Sequence, residues 1–214
     1  MNEHEPEGGW AGPSAPRIRT PPTSNAGVAF RGMSIAARAF GRADVPDVFS
    51  VLHLHPRLFW GWLHFASRLM PFGRLDARER ELMILRTAWN CRSEYEWGQH
   101  VDVGLGVGLD DEAIVRIRRG AGAAIGTRER TLLRACDELH RDRTLSEPTF
   151  VAIHDEGGDA AIIEITMLIG HYAMLAGFLT TAGITLEPKV RAALDAFEAR
   201  VSGHGSARRD RETT

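Results

Sequence analysis

Apolar positions along this chain recur every three or four residues from about residue 46 to residue 201, and no run alternates with period two long enough to form a strand. The pattern predicts helices over 46–53, 56–70, 76–90, 93–107, 127–142, 146–155, 160–181 and 188–201. A further short helix falls in the stretch GLDDEAIVRIRRG. Local chemistry marks the helix ends. Pro46, Pro56 and Pro148 suit a first helical turn, where the missing N–H removes no helical bond. Asp76 with Glu79, and Ser93 with Glu96, have the three-residue spacing of a capping box. Thr127 and Ser146 are further candidate caps, and the acidic start and basic end of DDEAIVRIRR suit the helix dipole. The expected fold class is all-α, a bundle of helices with short connections.

The same patterning divides the chain into a disordered N-terminal tail over residues 1–30, a single all-helical domain over 31–202, and a polar C-terminal tail over 203–214. The longest apolar stretch, 160–186, carries Glu164 and His171 seven residues apart on one helix face, and Gly170, Gly177 and Gly183. An ionisable pair and three glycines favour a helix buried in the core or between subunits over a membrane span. The aromatic cluster Trp60, Trp62 and Phe65 in 56–70 reads as core or interface packing.

Composition narrows the function classes. A 43% apolar and 25% charged content is that of a soluble globular protein, and a net charge of −2 provides no basic footprint for nucleic acid. Cys91 and Cys136 form neither a C-x-x-C nor a zinc-binding pattern. Sparse cysteine and an acidic, Pro/Gly-rich start without an apolar core of a signal peptide together suggest a cytoplasmic protein.

Candidate chemistry concentrates in residues 81–100, ELMILRTAWNCRSEYEWGQH. Glu96 and His100 are four apart and share a helix face, and Glu81 arrives from the preceding helix. A carboxylate beside an imidazole in apolar surroundings is a general acid/base pair able to work near neutral pH. His100 is therefore the candidate acid/base, with Glu81 and Glu96 as its orienting carboxylates. Plainer readings exist for each: Glu96 as the capping partner of Ser93, Glu96–His100 as an ordinary surface pair, Glu81 as part of the charged run RERE. One Glu-x-x-x-His without a second paired motif is a weak metal signature, and no metal or other cofactor is expected.

The frame of Glu81, eleven residues, Ser93, two residues, Glu96, three residues and His100 resembles that of the carboxymuconolactone decarboxylase and alkyl hydroperoxide reductase D-like superfamily. The resemblance spans roughly residues 45–125, including the glycine-leucine turn before DDEAIVRIRRG, with an echo at 160–186. It implies the superfamily's all-helical bundle and assembly as a homo-oligomer (trimer, hexamer or dimer), with 56–70 and 160–181 buried between subunits. In the redox branch the two middle positions are cysteines that cycle through a disulfide. Ser93 and Glu96 cannot do that. The decarboxylase branch implies instead a cofactor-free lyase or isomerase acting on a small lactone or carbonyl compound. Ser93, Tyr95 and Trp97 would line its substrate pocket. Arg86 and His171 are the candidate cations for an anionic substrate, which two glutamates would otherwise repel. A peroxide-linked redox protein and a non-catalytic small-molecule binder are the rival readings.

Overall fold

The computed structural model describes residues 4–21 and 45–212, with side chains described as far as residue 203. The expected domain start at 31–44 and the last part of the expected N-terminal tail lie outside the described residues. Eight α-helices and one short 3-10 turn are present among the described residues, with no strand. In chain order they are α1 (Asp47–Leu52), α2 (Pro56–Leu69), α3 (Ala77–Asn90), α4 (Glu94–Gly106), α5 (Asp111–Arg119), the 3-10 turn Ala121–Ala123, α6 (Thr127–Asp142), α7 (Glu147–Ala182) and α8 (Pro188–Glu212).

Helix α3 is the axis of the bundle. It packs against α4, α5, α6 and α7, and Arg80–Leu85, Thr87 and Ala88 are all buried. Being covered on nearly every side explains why its sequence shows little amphipathic contrast. The Asp76 carboxylate accepts from Arg78 N and Glu79 N at 2.9 and 3.2 Å, a cap that stabilises a helix start by about 1 kcal/mol. Met83, Ile84, Leu85, Ile114, Ile117, Leu132, Leu133, Trp97 and Phe197 form the fully buried centre.

Several ends differ in detail from the pattern read along the chain. The capping box of Ser93 and Glu96 is not formed: Ser93 sits at the N-cap of α4 without a side-chain cap bond, and neither its hydroxyl nor the Glu96 carboxylate finds a hydrogen-bond partner. Both side chains are sealed in the bundle (0% and 2% exposed), so tertiary burial has overridden the local motif. Gly126, not Thr127, is the N-cap of α6. The two helices expected at 146–155 and 160–181 are both present and meet at a kink at Gly158, whose φ of 61° is open to glycine; together they are α7. The resulting α7 is long and apolar enough to cross a membrane by length and composition. Here it packs against α2, α3, α4 and α6.

The ends of the chain make more contacts than tails would. Residues 4–21 are irregular, yet Trp10 lies edge-on to Trp89 at 5.5 Å, and Arg92 donates to the Gly8 and Gly9 carbonyls at 2.7 Å each. Arg17 N and Ile18 N bond to Ala182 O, and His4 Nδ1 lies 2.6 Å from Glu198 Oε2. Backbone helix in α8 continues through the stretch expected to be a polar tail.

Candidate active site

Two consecutive helices bring the site together. The link between α3 and α4 is three residues, Cys91–Ser93, with Arg92 in the left-handed region at φ 58°. So tight a turn folds α4 back along α3 and sets residue 100 opposite residue 81. His100 Nδ1 and Glu81 Oε2 are 2.6 Å apart. The Glu81 side chain is fully buried and that of His100 is 12% exposed, so one edge of the imidazole still reaches solvent. With Nδ1–H donating to the carboxylate, Nε2 is the ring nitrogen left over. Among the described residues, no hydrogen bond occupies it.

A cation stands behind the pair. Arg80, 7% exposed, places its Nε 3.7 Å from Glu81 Oε1, and neither of those two atoms has a hydrogen-bond partner. The buried guanidinium gives the Glu81 carboxyl a cationic neighbour in a dry place. Nothing in the run RERE distinguishes Arg80 from its neighbours. Which of its arginines turns inward is settled by how α3 is packed.

The remaining wall of His100 is Tyr172, edge-on with ring centroids 5.1 Å apart, whose hydroxyl meets Met70 Sδ at 3.2 Å. Beside Tyr172 on α7, His171 is stacked on Trp62 at 6.0 Å and meets Phe65 at 5.5 Å. Burial pulls its pKa down to about 4 and its Nδ1 is unpartnered, so it is neutral at physiological pH. It is not the substrate cation sought in the sequence.

Arg86 is not that cation either. Its guanidinium bonds Asp137 Oδ1 at 2.6 Å and the Ile117 and Arg118 carbonyls at 3.0 and 2.7 Å, anchoring the end of α5. The chain turns there at Gly120, φ 80°, where a Cβ would stand 2.6 Å from the Arg86 guanidinium.

Of the other predicted pocket residues, Tyr95 is committed to Glu187, donating at 2.7 Å while accepting from Val48 N at 3.3 Å. Trp97 is fully buried among Trp89, Trp10 and the guanidinium of Arg118. Both side chains build the core around α4, and their contacts lie away from His100. Glu96 makes no hydrogen bond to His100. Burial pushes its pKa well above the ordinary carboxylate range, favouring the neutral acid. Its field is felt at Cys91, whose thiol is raised to about 11, mainly by burial and then by Glu96. Cys136 is raised to about 12, again mainly by burial. Both thiols are free.

Two cavities flank this arrangement. One, of about 180 Å³, lies between α3, α6 and α7. The other, a groove of about 430 Å³, lies between α2, the loop after it and α7. Neither is lined by His100. No group of three or more His, Cys, Asp or Glu with metal-binding geometry occurs among the described residues.

The structure is thus an all-helical bundle with a buried Glu–His pair spanning adjacent helices. Residues 56–138 match the carboxymuconolactone decarboxylase family. Over that segment the chain is similar to the family, and its all-helical fold is that of alkyl hydroperoxide reductase D-like proteins. Solved structures of similar fold include the alkylhydroperoxidase AhpD core of an uncharacterized peroxidase-related protein from Ralstonia eutropha JMP134. It shares 18% identity over 82% of this chain and 94% of its own, with a TM-score of 0.73. An uncharacterized peroxidase-related protein from Silicibacter sp. TM1040 shares 14% identity over 84% and 95%, also at 0.73. The debrominase Bmp8, as a cysteine-to-alanine variant in complex with 2,3,4-tribromopyrrole, shares 12% over 86% and 98%, at 0.68. No curated protein matches the sequence.

Proposed function

We propose that this protein is a cofactor-free acid/base enzyme acting on a small lactone or carbonyl compound, by decarboxylation or isomerisation. The observation that carries this reading is the 2.6 Å contact between the buried Glu81 carboxylate and His100 Nδ1, which leaves Nε2 at the solvent-facing edge. Glu81, backed by Arg80, fixes the ring orientation and is the counter-charge to the imidazolium formed during turnover. Nε2 then takes a proton from a carbon next to a carbonyl and returns it elsewhere, giving isomerisation. In decarboxylation, the electrons of the broken C–C bond pass into the enolate, carbon dioxide leaves, and Nε2–H delivers its proton to carbon.

The chemistry needs no thiol, which accords with two sulfurs that stay protonated at neutral pH. A small molecule is then the partner, and a neutral lactone or enone suits the site better than a diacid, because Arg80 is already committed to Glu81.

The protein also acts, in this reading, as a cytoplasmic homo-oligomer, a dimer, trimer or hexamer. Leu58, Trp60 and Phe65 on α2 and Ile163, Met167 and Met174 on α7 are exposed large apolar side chains. Clustered exposure of that kind marks an interaction surface. It supports reading α7 as a contact helix between subunits rather than as a membrane or nucleic-acid contact. Native mass spectrometry and sedimentation give the subunit number, and a monomer at micromolar concentration would refute this part.

The catalytic reading is tested by screening the protein against lactones and unsaturated acids for carbon dioxide release or isomerised product. Against any substrate so found, His100→Gln should lose about a hundredfold or more in kcat. Parent-level turnover by that variant, with circular dichroism unchanged, would overturn the assignment.

A further inference from the structure

The cavity of about 180 Å³ between α3, α6 and α7 is separate from the Glu81–His100 pair and is built differently. Its floor and sides are apolar, contributed by Leu139, Ile169, Gly170 and Ala173. A volume of roughly 150 Å³ accepts a benzene ring, so this one has room for a six-membered ring. Gly170 adds to that room: a Cβ built on it would meet no atom within 4 Å.

The polar groups lining the cavity sort into occupied and free. Thr87 Oγ1 donates to Met83 O at 2.7 Å, Thr166 Oγ1 to Ile162 O at 2.7 Å, and Cys136 Sγ to Met83 O at 3.6 Å. Each is spent on backbone. What remains is His140 and Arg143. Cys91 Sγ lies 3.8 Å from His140 Nδ1. A thiol that is protonated at neutral pH can donate there, the tautomer that leaves an N–H on Nε2. Burial, then Arg143, lowers the His140 pKa, so the ring is neutral at pH 7.

Arg143 is the one charge over this opening without a counter-charge among the described residues. The acids at this end of α6 are all engaged. Asp137 is held by Arg86 and Asn90, Glu138 by Ser146 and Thr149, and Asp142 by Arg141. Arg143 itself caps α6 in the left-handed conformation, φ 62°. Glycine or asparagine is the usual residue for such a position, and an arginine is strained there by about 1 kcal/mol. A strained arginine without an ion pair among the described residues, beside a neutral histidine with a free Nε2–H and an otherwise apolar cavity, is the arrangement of an anion site.

We propose that this cavity binds a small monocarboxylate with an apolar, ring-sized body. The ring would lie against Leu139, Ile169 and Gly170, and the carboxylate would accept from Arg143 and His140 Nε2–H. Binding is independent of the acid/base assignment, since His100 does not line the cavity.

Benzoate is the probe, titrated into the full-length protein by calorimetry or by fluorescence at pH 7. One-site binding is expected. Arg143→Gln should weaken it at least tenfold, and Gly170→Leu, which places a side chain in the open volume, should abolish it. Arg143→Gly relieves the left-handed strain, so it should fold at least as stably while binding no better than Arg143→Gln. His100→Gln should bind like the parent. Failure of benzoate to bind at millimolar concentration would overturn the proposal. So would binding unmoved by both Arg143→Gly and Gly170→Leu. Weakening by His100→Gln alone would place benzoate at the acid/base pair and equally refute it. If turnover at His100 is never found but benzoate binds with these variant effects, this inference stands without the catalytic one.

Discussion

His171 gives the sharpest physical test, because its neutrality has a measurable consequence for stability. The ring is buried against Trp62, Phe65 and Tyr172 and has no carboxylate beside it, so burial alone lowers its pKa from the ordinary 6.5 to about 4. In the unfolded chain the same imidazole takes a proton at its ordinary value. Below pH 6.5 the unfolded state therefore binds more protons than the folded one. Stability from this residue is complete above pH 6.5, falls as pH drops toward 4, and is flat below that. A shift of that size amounts to about 3 kcal/mol across the window. Glu96 acts in the opposite sense over part of the same range, so the parent curve alone would hide the effect. His171→Phe keeps the aromatic packing and removes the titration. Chemical unfolding of parent and variant, followed by tryptophan fluorescence from pH 4 to 8 at one protomer concentration, isolates the difference. The parent should lose about 3 kcal/mol relative to the variant between pH 6.5 and 4. Parallel curves would refute the claim that this histidine is buried uncharged.

Glu96→Gln tests the other buried acid. A folded pKa raised above the unfolded value means the parent loses stability as pH rises from about 4.5 toward that higher value, and the amide variant should lose that slope while staying folded. Arg86→Met, with its Asp137 pair and two carbonyl bonds removed, should cost about 3 kcal/mol in urea unfolding without touching a reacting group. Cys91 and Cys136 should react slowly with iodoacetamide at pH 7, with the rate at Cys91 climbing toward pH 11. Prompt labelling at neutral pH would return the redox reading to contention.

Much of this architecture was legible along the chain because helix signals are local. Apolar spacing of three and four placed every helix from α1 to α8, and Asp76 and the DDE start of α5 cap as their residue types require. The Glu81–His100 interval was readable too, since a nineteen-residue separation with a tight turn in the middle returns one helix against the other. The sequence on its own thus determined the fold class, the helix order and the two ends of the buried pair. Which carboxylate meets the imidazole was decided only by tertiary packing. Glu96 shares a helix face with His100 by spacing, yet Glu81 bonds it from the neighbouring helix. Packing likewise turned Arg80 inward, assigned Arg86 to the end of α5, kept His171 uncharged, and gathered His140 and Arg143 over an apolar cavity. The physical reason is that spacing fixes which residues share a face of one helix. Desolvation and hydrogen-bond partners depend on what the neighbouring helices bring to that face.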